Sequence, residues 1–182
     1  MPRIWVQVLE SENRKTFHHK IMKKLIFVRH SKAEEPTSEI SDFERSLTLK
    51  GKSVANIMAL KLKEKEKSLG VILSSPAFRA IETGLIFSGV FKIPYDKILM
   101  AGNIYYKHNL QTLREDLSRI REEEDTVTLF GHNPSFTELA NSLSREGCNF
   151  IQKCGIVAIS FKITTWSELD NNLGNIEYYL KP

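Results

Sequence analysis

Cysteine is scarce in this sequence. Cys148 and Cys154 are the only two in 182 residues; they form no C-x-x-C pair, and no histidine stands beside them at metal-ligand spacing. A disulfide framework and a zinc site are therefore not expected, and two reduced thiols suit a cytoplasmic home. Long apolar runs are missing too. Nothing approaches the roughly 20 residues that cross a bilayer. Gln7, Glu10 and Glu12 break the short run from Ile4, which removes the apolar centre of a secretory signal. The expectation is a cytoplasmic protein without a membrane partner. Glycine-lysine phosphate loops of the Walker type, and paired aspartates to hold Mg²⁺, are absent as well.

A basic face is also lacking, although the net charge is +4. Residues 1–24 hold six cations against two acids, and the remainder carries 20 of each sign. A polyphosphate partner needs cations gathered on the folded body, and here the aromatics are not interleaved with cations either. No nucleic-acid partner is expected.

What is present describes one ordinary globular domain, with 41% hydrophobic residues, nine glycines and six prolines. Met22-Lys23-Lys24 reads as a natural beginning, so residues 22–182 form the domain. Residues 1–21 read as an N-terminal extension, either a flexible arm or an over-extended start, with an edge strand through Ile4 to Leu9 as the alternative.

The run Leu25-Ile26-Phe27-Val28 has no helical repeat and reads as a strand buried on both faces. Residues 71–73, 97–100 and 127–130 read as further strands. Thr48 offers an N-cap to a helix whose apolar positions Val54, Ile57, Met58 and Leu62 follow i, i+3, i+4 spacing. Helices are also expected at 77–87, at 109–123 with Leu110, Leu113, Leu117 and Ile120 on one stripe, and around Phe136, Leu139 and Leu143. Residues 156–163 and 175–180 read as two final strands. The order βαβαβαβα then ββ argues an α/β three-layer αβα sandwich with a mostly parallel central sheet, in which the closing strand is free to run antiparallel.

Three strand ends share a pattern. Residues 25–28 run into Arg29-His30; 71–73 run into Ser74-Ser75-Pro76 and then Arg79; 127–130 run into Gly131-His132-Asn133-Pro134. Ligands in open α/β sheets bind at the carboxyl ends of strands, so two arginines and two histidines would gather at one sheet edge. Planar arginine forks match the oxygens of a phosphoryl group, and histidines suit nucleophilic and proton-donor roles.

Arg29-His30-Ser31, residues 74–83 (SSPAFRAIET) and Gly131-His132-Asn133-Pro134 resemble the three signatures of the histidine phosphatase, or phosphoglycerate mutase-like, superfamily. Residues 42–48 (DFERSLT) followed by Gly51 resemble the D-x-x-R-P-L-T-x-x-G stretch of its SixA-type phosphohistidine phosphatase branch. The resemblance covers roughly Met22 to the C-terminus. It implies a metal-independent phosphatase without a cofactor, acting on phosphohistidine in a protein such as a phosphotransfer domain or phosphocarrier. His30 would be the nucleophile, kept unprotonated by nearby arginines; Arg29 and Arg79 would clamp the phosphoryl oxygens; His132, protonated by a bound dianion, would donate to them. Ser31, Arg45 and Asn133 would bind substrate. Ser31 stands where the superfamily usually has glycine, and Ser46 stands where the branch has proline. Residues 102–108 hold no carboxylate where phosphomonoesterases of the superfamily carry a general acid. An alkoxide leaving group needs that proton far more than the imidazole of phosphohistidine does, which favours phosphohistidine or another phosphoramidate. The alternatives are a small-molecule phosphomonoesterase that uses Tyr105, Tyr106 or His108 as the acid, and a non-catalytic phosphate-binding module.

Overall fold

The computed structural model describes residues 22–182. The expected extension at 1–21, with its alternative edge strand, lies outside the described residues.

The strands are β1 (Lys23–Arg29), β2 (Val71–Ser74), β3 (Ile98–Met100), β4 (Thr126–Gly131), β5 (Ile156–Phe161) and β6 (Asn175–Leu180). They form one sheet in the order β3-β2-β4-β1-β5-β6. The pairs β3-β2, β2-β4 and β4-β1 are parallel, while β5 runs antiparallel to both β1 and β6. The one reversed strand is therefore β5, and the closing strand β6 returns to the direction of the parallel set.

Side chains alternate between the two faces, as pleating requires. Leu25, Phe27, Val127, Leu129, Val157 and Ile159 enter a core beneath α3 (Asn103–Tyr106), α4 (Leu110–Leu117) and α5 (Ser135–Leu143). Ile26, Val28, Ile72, Phe130, Ile156 and Ala158 enter a second core beneath α1 (Leu49–Lys63) and α2 (Phe78–Phe91). This is the expected three-layer sandwich. Among the described residues no helix is long and apolar enough to cross a membrane.

Local chemistry sets the boundaries. Thr48 caps α1 by accepting from the Gly51 amide at 3.0 Å. Helix α2 runs one turn past the expected 87, to Phe91, and Lys92 ends it in the left-handed region at φ 58°. The stripe at 109–123 is helical only to Leu117. There the Arg119 and Ile120 amides turn to the carbonyls three residues back, a tightening that ends α4 while keeping Ile120 against the core. At the amino end of the sheet Lys23 is fully buried. Its ammonium lies 2.9 Å from the Asp125 carboxylate, also bonds the Glu122 carbonyl, and stands 5.4 Å from the Trp166 ring.

After β1 the chain crosses to α1 on one face, and after β4 it crosses to α5 on the other. Those two strands are neighbours, so a crevice opens between their carboxyl ends. Gly131 lets β4 reach this point: a Cβ there would lie 2.5 Å from both Ile104 and Phe136 side-chain atoms.

Candidate active site

The strand ends are tied together by their backbones. The His30 amide donates to the Gly131 carbonyl at 2.9 Å, and the Ser75 amide donates to the Phe130 carbonyl at 2.9 Å. This brings the three sequence signatures to one edge. An open cleft of about 530 Å³ lies there, lined by Arg29, His30, Ala33, Asp42, Arg45, Arg79, Tyr105, Tyr106, His132, Asn133 and Lys153. The imidazoles of His30 and His132 stand 5.1 Å apart, centre to centre.

His30 is held in one tautomer. Its Nδ1 lies 2.7 Å from the Ser31 carbonyl, which can only accept, so Nδ1 carries the hydrogen and the Nε2 lone pair is left for the cleft. The Ser31 hydroxyl turns away, donating at 2.8 Å to the Gly51 carbonyl, and its amide donates to Thr83 Oγ1. Ser31, expected to bind substrate, thus sits buried behind the cleft and orients His30 through its main chain. Gly51 has to be glycine for this packing, since a Cβ would meet the Lys32 carbonyl oxygen at 2.0 Å. Thr83, which the sequence reading did not single out, joins two signatures by also donating to the Arg79 carbonyl at 2.7 Å.

Three guanidinium groups face the cleft, each partly engaged. Arg29 donates to the Ile151 carbonyl at 2.9 Å and stands 5.4 Å from the Phe150 ring. Arg79 donates to the Asp42 carboxylate at 2.9 Å and also to the Asp42 carbonyl. Arg45 donates to the Glu34 carbonyl at 3.1 Å and stands 3.1 Å from the other Asp42 carboxylate oxygen. Asn133 lines the cleft with its amide spanning Ile151 and Thr137. His132 Nε2 lies 2.8 Å from the Ser75 hydroxyl.

The sequence matches no family model and none of the curated proteins. Solved structures do resemble it. The protein histidine phosphatase SixA complexed with tungstate superposes with a TM-score of 0.73 at 19% identity, over 86% of this chain and 96% of that one. A protein assigned as phosphohistidine phosphatase SixA from Agrobacterium tumefaciens gives 0.72 at 21% identity, over 88% and 98%. A mycobacterial glucosyl-3-phosphoglycerate phosphatase gives 0.60 at 12% identity, over 86% and 97%. The chain has the histidine phosphatase fold.

Within that histidine phosphatase fold, Arg29, His30, Arg45, Arg79, His132 and Asn133 line one cleft, while Ser31 lies behind it. Asp42 and Lys153 line the cleft, and Ser75 braces His132. His108, a candidate acid in the alternative reading, does not line it. It is buried at 2% exposure, 3.4 Å from the Asp116 carboxylate under α3. Tyr105 does line the cleft, with its hydroxyl 3.3 Å from the Asp42 carboxylate.

Burial, more than the arginines, sets the histidine protonation states. Desolvation lowers His30 to about 3, with His132 next in importance and Arg79 and Arg29 smaller, against the opposing bond to Ser31. Desolvation, followed by Arg79, lowers His132 to about 4. Both rings are therefore neutral at pH 7 in the free protein. An unfolded histidine binds a proton below about 6.5. The folded chain takes up these two only near pH 4 and 3, so it binds fewer protons across that window and loses stability as the pH falls through it. In an NMR titration of the free protein, both imidazoles are expected to show no protonation shift between pH 8 and about 5; a His30 midpoint near 6.5 would contradict the burial argument.

Proposed function

We propose that the chain is a metal-independent phosphatase of the histidine phosphatase superfamily. It removes the phosphoryl group from phosphohistidine in a protein substrate, a phosphotransfer domain or phosphocarrier, through a transient phosphohistidine on His30. The observation that carries this reading is the His30 ring, whose Nδ1 is committed to a carbonyl and which lines a cleft shared with Arg29, Arg45 and Arg79.

The neutral Nε2 attacks phosphorus as the P–N bond of the substrate breaks, and the leaving ring departs as neutral imidazole, its other nitrogen having been protonated from solvent. Arg29 and Arg79 hold the equatorial oxygens as charge spreads onto them. The incoming dianion raises the affinity of His132 for a proton, so that it donates to the transferring group. Water then attacks the phosphohistidine, releasing phosphate and restoring His30.

The substrate class is supported by what the cleft does to its acids. Asp42 is the one carboxylate among the described residues that line it. Burial pushes Asp42 up, but the bond to Arg79 and the charges of Arg79 and Arg45 outweigh it and hold the group below the usual range. Tyr105 is pushed up by burial and by Asp42. Neither group gives up a proton readily at neutral pH in the required sense: Asp42 has already lost its proton, and Tyr105 holds its own tightly. A cleft with no ready carboxyl or phenol acid beside the phosphoryl-binding groups suits an imidazole leaving group better than an alkoxide.

Parallel assays on a phosphohistidine protein and on p-nitrophenyl phosphate test this reading. Preference for the first supports it; equal or better use of the second favours the small-molecule phosphomonoesterase; phosphate binding without turnover favours the module. All the positive charge in this mechanism comes from side chains, so activity is expected to survive excess EDTA. Loss on chelation, with recovery on adding a divalent ion, would overturn the mechanism.

A further inference from the structure

Asp42 presents two oxygens to Arg79 in the manner of a phosphoryl group. Its carboxylate accepts from Arg79 Nη2 at 2.9 Å, and its carbonyl accepts from Nη1 of the same guanidinium. The second carboxylate oxygen lies 3.1 Å from Arg45 Nη2, so one residue engages two of the three arginines in the cleft. Arg79 is 5% exposed, whereas the Asp42 side chain is 55% exposed and lies at the open side. Its loop is anchored one residue on: the Phe43 carbonyl accepts from the Phe78 amide at 3.1 Å, and the Phe43 ring packs 5.2 Å from Tyr105. With Phe43 fixed, a turn of the exposed Asp42 side chain releases its carboxylate from Arg45 and from Nη2 of Arg79, while its carbonyl stays on Nη1. An arriving phosphoryl group therefore meets Nη2 and the unpartnered Nε of Arg79.

We propose that Asp42 is an internal competitor for the phosphate site, a specificity-determining residue that an arriving phosphoryl group displaces from Arg79 and Arg45. The inference rests on the phosphatase reading above and adds a consequence to it. Free phosphate regains only what Asp42 gives up, so product binds weakly and leaves, while a substrate with further contacts outside the cleft still displaces the carboxylate. An ionised aspartate at the rim also disfavours substrates with a second anionic group beside the phosphoryl group.

The test measures inorganic phosphate binding by calorimetry to the wild-type chain, Asp42→Asn and Asp42→Ala, with thermal melts to confirm that each folds. Asp42→Asn keeps the size of the side chain and removes its charge. Both variants are expected to bind phosphate about tenfold more tightly, the scale of one partly exposed charge-assisted pair, and to show product inhibition at correspondingly lower phosphate. If Asp42 instead served to position Arg79, both variants would bind more weakly; weaker or unchanged binding overturns the inference and leaves the phosphatase reading standing. Absence of phosphate binding in wild type and variants alike would overturn that reading as well.

Discussion

His30→Ala is expected to bring turnover down to background, a loss on the order of 10⁴ or more by analogy with other removed nucleophiles. The ring is placed for one task. The Ser31 carbonyl fixes the hydrogen on Nδ1, and burial keeps the ring neutral down to about pH 3, so the Nε2 lone pair is available throughout the physiological range. Alanine removes the attacking atom and leaves Arg29, Arg79 and His132 in place. Phosphate or vanadate should therefore still bind, which separates lost chemistry from lost folding. The measurement is the steady-state rate on a phosphohistidine protein beside a vanadate titration. Retention of more than about a hundredth of the wild-type rate would show that His30 acts as less than the nucleophile.

Arg79→Ala is expected to cost about 10³-fold or more in rate, together with most of the phosphate affinity. Removal of one preorganised donor from a developing charge typically costs about 10²–10³, and Arg79 presents two donors on one plane. It also holds Asp42, whose carboxylate would be left in the cleft opposed mainly by Arg45, where it would repel the incoming anion. Arg79→Lys should recover little, since an ammonium cannot span two oxygens in that geometry. Rates and phosphate affinities for the two variants check this. A lysine variant near wild type would reduce Arg79 to a point charge.

The parts of the site that could be read from the sequence are those that repeat a physical pattern. Leu25 to Val28 and Val127 to Phe130 are strands because both faces of the sheet are covered, and in parallel strands the next residues share an edge; Arg29, His30 and His132 therefore meet. Asp42 was legible as the first residue of the loop motif, but its hold on Arg79 was not. It lies in an irregular loop with no period, and its place against Arg79 depends on Phe43 packing with Phe78 and Tyr105 across distant elements. Ser31 was legible as part of a motif but not by direction, since whether its hydroxyl meets substrate or Gly51 depends on how closely α1 approaches β1. His108 follows two tyrosines, one of which bonds Asp42, but it lies beyond the end of α3, where the extended Lys107 precedes it, and its imidazole meets Asp116 instead. The reversal at β5 likewise has no signal in a strand buried on both faces, because its run of apolar residues is the same in either direction.

The most direct test of the central claim is to trap the intermediate. Enzyme quenched with alkali during turnover of a ³²P-labelled phosphohistidine protein is predicted to retain acid-labile, base-stable label on the peptide containing His30, and the His30→Ala protein none. Equal labelling of His30→Ala, or its appearance on His132 in the wild-type chain, would contradict the account.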